Sequence, residues 1–350
     1  PFWVDSVPKI LEGTPFAKNY NVSIALNVGP NIEQYKELIK GIIQKPRFML
    51  FLRNTQRIQF EDIKWDIISI AKKVDAKTNV VRLKNSFASK ENEVQYIVCN
   101  GDDIPVSNEA FNSCGIPMIK EKSSSLGRDK WHMYQMIEGV KIPLTSIPER
   151  IIAADTTSIS YAFMLDDNGE VTTIPERTPS LYAYLPMEDR RYLFPFFINA
   201  DFELSSNRQE AKVSPWNEYI FYHIGHNIVS WIASIASTIH PNYLLLLPSK
   251  YLTEELEEGK EDKLAIQFNR EYKNALATTP FILNDQGNIV LQNEVIIDDS
   301  GFSNVIGGND FCGLLKCSKR LPHPNIQWST LNNNDLFSEI EHINLGDVVE

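Results

Sequence analysis

Residues 194–217 read FPFFINADFELSSNRQEAKVSPWN. The aromatic and β-branched run at the start predicts a strand over 194–202. A short polar loop follows, and Arg208 is its one basic residue. Ser214 then suits a helix N-cap, and Pro215 suits the first helical position. Beyond them Ile220, Ile224, Ile228, Trp231, Ile235 and Ile239 recur at helical spacing. That spacing predicts a long central helix from Pro215 to about Ile239. Backbone N–H groups at a helix start and a guanidinium both attract anions, so this corner points to phosphate and hence to a nucleotide. Ser206, Asn207 and Gln209 are short polar neighbours able to hold Arg208 or to touch phosphate oxygens. The plainer reading is a surface arginine, or one paired with Glu203 or Glu210.

Upstream, residues 21–28 read as a strand, and Ile32 to about Gln44 as an amphipathic helix ended by Pro46. Residues 48–54 (FMLFLRN) read as a buried strand, with RIQFEDI after it as a hairpin partner. Further short strands at 67–71, 80–83 and 94–98 suggest an antiparallel meander. Residues 123–128 (SSSLGR) signal a loop. Strands at 158–165 and 171–174 flank DDNGE, a hairpin turn, and 181–185 reads as another strand. After residue 242, LLLLP reads as a short buried strand and EELEEGKED (254–262) as a solvated acidic face. Leu264, Phe268, Tyr272 and Leu276 mark an amphipathic helix. Residues 281–283 and 289–291 flank NDQGN, a second hairpin, and the Asn-rich tail after Pro322 suggests loose packing. The mixture of strands and helices without strict alternation predicts an α/β or α+β fold, with layered mixed sheets, packed helices and two subdomains.

The totals narrow the function. At 350 residues the chain can bury a sizeable core. Its net charge of -11, with no run of Lys and Arg, argues against a nucleic-acid or membrane-surface partner. The most apolar long segment, 220–239, contains His223, His226, Asn227 and Ser230, which suit a buried helix rather than a membrane span. Cys99, Cys114, Cys312 and Cys317 form no CxxC pair, so a reduced, cytoplasmic setting is expected. The Cys312–Cys317 spacing is loose for zinc, and buried thiols are the simpler reading, so no metal is expected in this chain. His223 and His226 share a helix face and read as core or groove histidines. The motifs GxxxxGK[ST], GxSxG, HExxH and GxGxxG are absent, and the glycines of GFSNVIGG (301–308) read as a surface turn.

YAYLPM (182–187), the 194–217 stretch and WNEYIF (216–221) together resemble sacsin-type proteins. In that family such a block follows an ATP-binding domain of the GHKL superfamily, which also includes heat-shock chaperones. GTPFAKNYNVSIALNV (13–28) resembles the closing strand of the ATPase domain and its exit. RFMLFLRNTQRIQF (47–60) resembles the strand pair that opens the next domain, and PFILNDQGNIVLQNEVIID (280–298) resembles a hairpin further along.

The resemblance implies a middle-type, transducer-like segment. Residues 1–30 would be the exit from an upstream ATPase domain, 31–241 a middle-type domain and 242–350 a smaller subdomain. LSSNRQE (204–210) resembles the chaperone loop whose arginine reaches the γ-phosphate of ATP in the neighbouring domain. Arg208 would then be the catalytic contact, with Ser206, Asn207 and Gln209 as cofactor-binding helpers. ATP and Mg2+ would be held mainly by the upstream domain, because the Glu/Asn helix, DxGxG turn and glycine-rich lid of a GHKL site are missing here. The segment would not hydrolyse ATP alone. Its implied partners are the upstream domain, a protein client and, in the full-length protein, a second copy in a homodimer. Two other readings stay open: a non-catalytic interaction scaffold of the same ancestry, and an unrelated enzyme with its pocket away from Arg208.

Overall fold

Hydrophobic alternation between residues 57 and 105 builds a four-stranded antiparallel meander. Its strands are β1 (Arg57–Phe60), β2 (Ile63–Lys72), β3 (Thr78–Phe87) and β4 (Lys90–Pro105), hydrogen-bonded in chain order. The structure is a computed structural model that describes residues 29–143, 156–236, 242–326 and 336–346. Short breaks fall at 53–54, 56, 61–62, 73–77, 88–89, 117–118, 124–129, 138–139, 257–258 and 345. Two compact units emerge, residues 1–45 and 46–350. Within the first, α1 (Ile32–Ile43) forms where its apolar spacing places it. The expected strand at 21–28, most of the loop at 123–128 and the helix end at 237–239 lie outside the described residues.

In the second unit, a short α2 (Asn108–Ser113) follows the meander, capped by the Ser107 side chain. The strands β5 (Ile119–Ser123), β6 (Lys130–Ile137) and β7 (Val140–Pro143) form a separate antiparallel sheet. The chain then returns to the main sheet. There β8 (Thr156–Leu165) pairs antiparallel with β4, and β9 (Val171–Thr172) folds back on β8. The DDNGE turn between them closes as its sequence predicts. Gly169 takes φ +80, and the Asp166 carboxylate accepts the N–H groups of Asn168 and Glu170.

Next come β10 (Leu181–Ala183), β11 (Leu185–Pro186) and β12 (Phe197–Asn199). β12 lies antiparallel on β8 and parallel on β10, which completes a nine-stranded mixed sheet. The fold is therefore mixed α/β, as the sequence suggests.

Strand alternation sends side chains to both faces of this sheet. Ile97, Ile159, Tyr161, Phe163 and Ile198 face a core built with α3 (Pro215–Ala236) and α4 (Lys263–Thr278). These helices pack very closely at Gly225, where a Cβ would stand 2.5 Å from the Phe268 carbonyl oxygen. Phe268 and Tyr272 of α4 are fully buried. On the opposite face Phe197 packs at a tilt on Tyr96 and edge to face with Tyr182, and Phe51 meets Tyr182 at a ring distance of 4.9 Å. One core spans residue 242, since Tyr243, Leu244 and Leu264 belong with Ile220 and Ile224.

Five local expectations are corrected. The described part of the strand expected over 48–54 is not a strand: Pro46–Met49 is a 3-10 helix, and Met49, Leu50 and Phe51 are buried in succession. A run with no polar alternation cannot report its period, and Pro46 favours a helical start. The anchor is tertiary, for Tyr182 Oη donates to the Arg47 carbonyl and the Arg47 guanidinium donates to the Pro179 carbonyl. Likewise the LLLLP stretch begins as a 3-10 helix, Tyr243–Leu246.

Residues 181–185 are two strands, because Tyr184 takes φ +65 with its N–H held by Asn199 Oδ1 at 2.7 Å. The strand expected over 194–202 shortens to β12. The 301–308 segment enters two short helices, α5 (Ser303–Ile306) and α6 (Gly308–Leu314), with Gly301 at φ +72 before the first and Gly307 at φ +90 between them.

The second hairpin forms as read, with β13 (Ile282–Leu283) and β14 (Ile289–Val290) closing over Asn284. In the tail, β15 (Ile296–Asp298) and β16 (Glu341–Ile343) pair in parallel.

Candidate functional site

The Arg208 loop is a narrow excursion between β12 and α3. Leu204 and Ala211 bridge at its stem, and the Ser205 N–H donates to the Glu210 carbonyl at 2.9 Å. Inside, the Arg208 N–H donates to the Ser205 carbonyl at 2.9 Å, which closes a four-residue turn. Asn207 braces the turn with its own side chain. Its Oδ1 accepts from Ser205 Oγ at 2.6 Å and from the Gln209 N–H at 2.9 Å. Arg208 itself sits at φ +58, a conformation that disfavours a residue with a Cβ.

Two buried polar side chains hold the stem. Asn217 is fully buried in the first turn of α3. Its Oδ1 accepts the Glu203 N–H, and its Nδ2 donates to the Glu203 and Lys212 carbonyls at 2.7 Å each. One amide side chain thus ties both loop arms to the helix start. Asp189 is the second anchor, at 2% exposure. Its Oδ2 accepts the Ala211 N–H at 3.0 Å, and Arg191 forks across both its oxygens at 3.0 and 2.7 Å. Arg191 also donates to the Ala211 carbonyl. The Glu188 N–H takes the Gln209 carbonyl, a third tie.

Arg208 is exposed, and no hydrogen bond or ion pair engages its guanidinium among the described residues. The local pairing with Glu203 does not form, because Lys212 Nζ takes Glu203 Oε1 at 2.6 Å. Ser206 and Gln209 are exposed beside Arg208, while Asn207 spends its Oδ1 inside the turn.

The helix start is not an open anion site. Ser214, Trp216 and Asn217 are buried, and Ser214 caps the helix through its carbonyl to the Glu218 N–H and its Oγ to the Asn217 N–H. Trp216 Nε1 donates to the Asp201 carbonyl at 2.7 Å. What faces outward is the arginine, on a stem with little freedom.

Sequence reasoning assigned no role to Asn217 or Asp189. The Trp-Asn pair at the helix start was visible, but a buried staple looks like any polar residue until its partners are known.

A second concavity, about 460 Å³, lies between α2 and α3 and includes Cys114, Tyr219, Tyr222, His223 and His226. Burial, with His226 adding to it, lowers His223 to about 4. Burial likewise raises the Cys114 thiol. These shifts oppose acid–base work near neutrality: the imidazole is too weak a base and the thiol keeps its proton. Among the described residues no group of three or more His, Cys, Asp or Glu assembles that could hold a metal. Nor is any described helix long and apolar enough to cross a membrane.

No protein-family model matches this chain, and no curated protein or solved structure is significantly similar to it.

Proposed function

We propose that this chain is a middle, transducer-like segment of a GHKL-type ATPase of the sacsin and heat-shock-chaperone kind. In this reading Arg208 contacts the γ-phosphate of an ATP, with its Mg2+, held by another domain, and Ser206 and Gln209 flank that contact. The observation that supports it is the pairing of a braced stem with a disengaged guanidinium. Such an arginine offers charge to a ligand without first breaking an ion pair, and the cost of ordering it is already met by the loop. A positioned arginine stabilises charge on a transferring phosphoryl group, whereas a flexible surface arginine does so weakly. The chain's other surfaces would pass the nucleotide state to a client protein.

The test is kinetic. In the full-length protein, Arg208→Ala should lower ATP turnover by about a hundredfold or more while nucleotide affinity stays nearly unchanged. Unchanged turnover would reject Arg208 as the phosphate contact and leave an interaction scaffold as the better reading.

A further inference from the structure

A groove of about 790 Å³ in the 46–350 unit is walled by residues from three segments, 173–178, 190–195 and 244–253. Its charge departs from that of the chain. Arg177, Arg190, Arg191 and Lys250 line it, and Glu176 is the one carboxylate among its lining residues. The whole protein carries a net charge of -11, so a local excess of cations here is not a reflection of composition. Arg191 is held by Asp189, as described above. Arg177, Arg190 and Lys250 are exposed, and among the described residues no hydrogen bond or ion pair engages their charged groups. Apolar surface lies between them. Leu193 and Tyr251 are each 40% exposed, among the chain's large exposed hydrophobics, and buried Phe194 and Leu252 lie beneath.

We propose that this groove docks an acidic peptide segment of a partner protein, one in which Asp or Glu residues flank Leu, Phe or Tyr side chains. Charge complementarity selects the sign of the partner and steers its approach. Exposed leucine and tyrosine provide the apolar anchor that cations alone lack. A phosphate would need donors converging on one point. Here the cations stand on three separate segments with hydrophobic side chains between them, which matches a chain of alternating character. The groove uses none of the residues assigned to phosphate contact, so this proposal and the ATP reading fail separately.

The experiment is a selection of random displayed peptides on the intact chain, followed by fluorescence anisotropy with the enriched peptides. Enrichment of acidic residues beside Leu, Phe or Tyr is expected. Binding should weaken as salt rises, and should drop by about tenfold or more in the Arg190→Glu, Lys250→Glu double variant. The milder Arg190→Ala, Lys250→Ala pair should show a smaller loss in the same direction, with an unchanged melting temperature confirming its fold. Arg208→Ala should leave peptide binding intact. Enrichment without acidic character, or equal binding by wild type and both double variants, overturns the proposal. So does ATP or inorganic triphosphate binding that depends on Arg190 and Lys250 while the enriched peptides show no such dependence, since that would mark a small-anion site.

Discussion

Arg208 combines an unfavourable backbone with an unengaged side chain. At φ +58 its Cβ crowds the backbone, which costs about 1 kcal/mol relative to glycine. Arg208→Gly should therefore melt at or slightly above the wild-type temperature while losing whatever the guanidinium does. A marked loss of stability in a thermal melt would mean that the side chain has a structural partner after all. Asn217→Ala makes the opposite prediction. It strips partners from the Glu203 N–H and from the Glu203 and Lys212 carbonyls, so chemical denaturation should show a loss of about 2–4 kcal/mol. A loss below about 1 kcal/mol would show that water or a rearranged loop replaces the staple.

His223 carries a pH prediction. Its Nε2 is buried without a partner, and burial lowers the group from 6.5 to about 4 in the folded chain. Between those values the unfolded chain binds a proton that the folded chain refuses. Its contribution is thus intact above about pH 6.5 and falls as pH drops toward about 4, by about 3 kcal/mol in all. His223→Phe should flatten the stability curve over that range in denaturation series at stepped pH. An equally steep curve would assign the acid sensitivity to other groups.

At the scale of elements, the contact between α3 and α4 depends on Gly225. A Cβ there would lie 2.5 Å from the Phe268 carbonyl oxygen and 3.1 Å from both Glu271 Cβ and the Tyr272 backbone nitrogen. Two of these neighbours are backbone atoms that cannot swing aside. Although alanine favours helix over glycine by about 1 kcal/mol, Gly225→Ala should destabilise the protein, by about 1–3 kcal/mol net. A more stable variant in urea titration would mean that the helices separate at little cost. Both helices are legible in sequence because their apolar residues recur with a helical period over several turns. The segments 48–54 and 244–247 are not, because consecutive apolar residues carry no period. Tyr184 illustrates a different limit. The turn that divides β10 from β11 rests on a hydrogen bond from the Tyr184 N–H to Asn199 Oδ1, fifteen positions away.

At the scale of the whole 46–350 unit, the core joins the sheet to α3, α4 and the residues after 242. Residues 46–241 and 242–350 expressed apart should therefore each fail to give a cooperative unfolding transition, since each would expose the apolar face that the other covers. A cooperative melt from either piece would place a domain boundary near 242.

The sequence alone determined the mixed α/β class, the meander, both glycine-bearing hairpins and the two packing helices. Each of these rests on local period, turn chemistry or capping, which act within a few residues. It also drew attention to the 194–217 stretch and to Arg208. Only the tertiary structure decided how that arginine is held. The start of α3 is buried and closed by its own cap, so it offers no anion pocket. Asp189 and Asn217 brace the loop from opposite sides of the chain order, and Lys212 takes the carboxylate of Glu203. The cationic groove has the same origin, because Arg177, Arg190 and Lys250 are far apart in sequence and meet only through the fold. Partners distant in the chain leave no periodic trace, and for that reason the site was readable as a place but not as an arrangement.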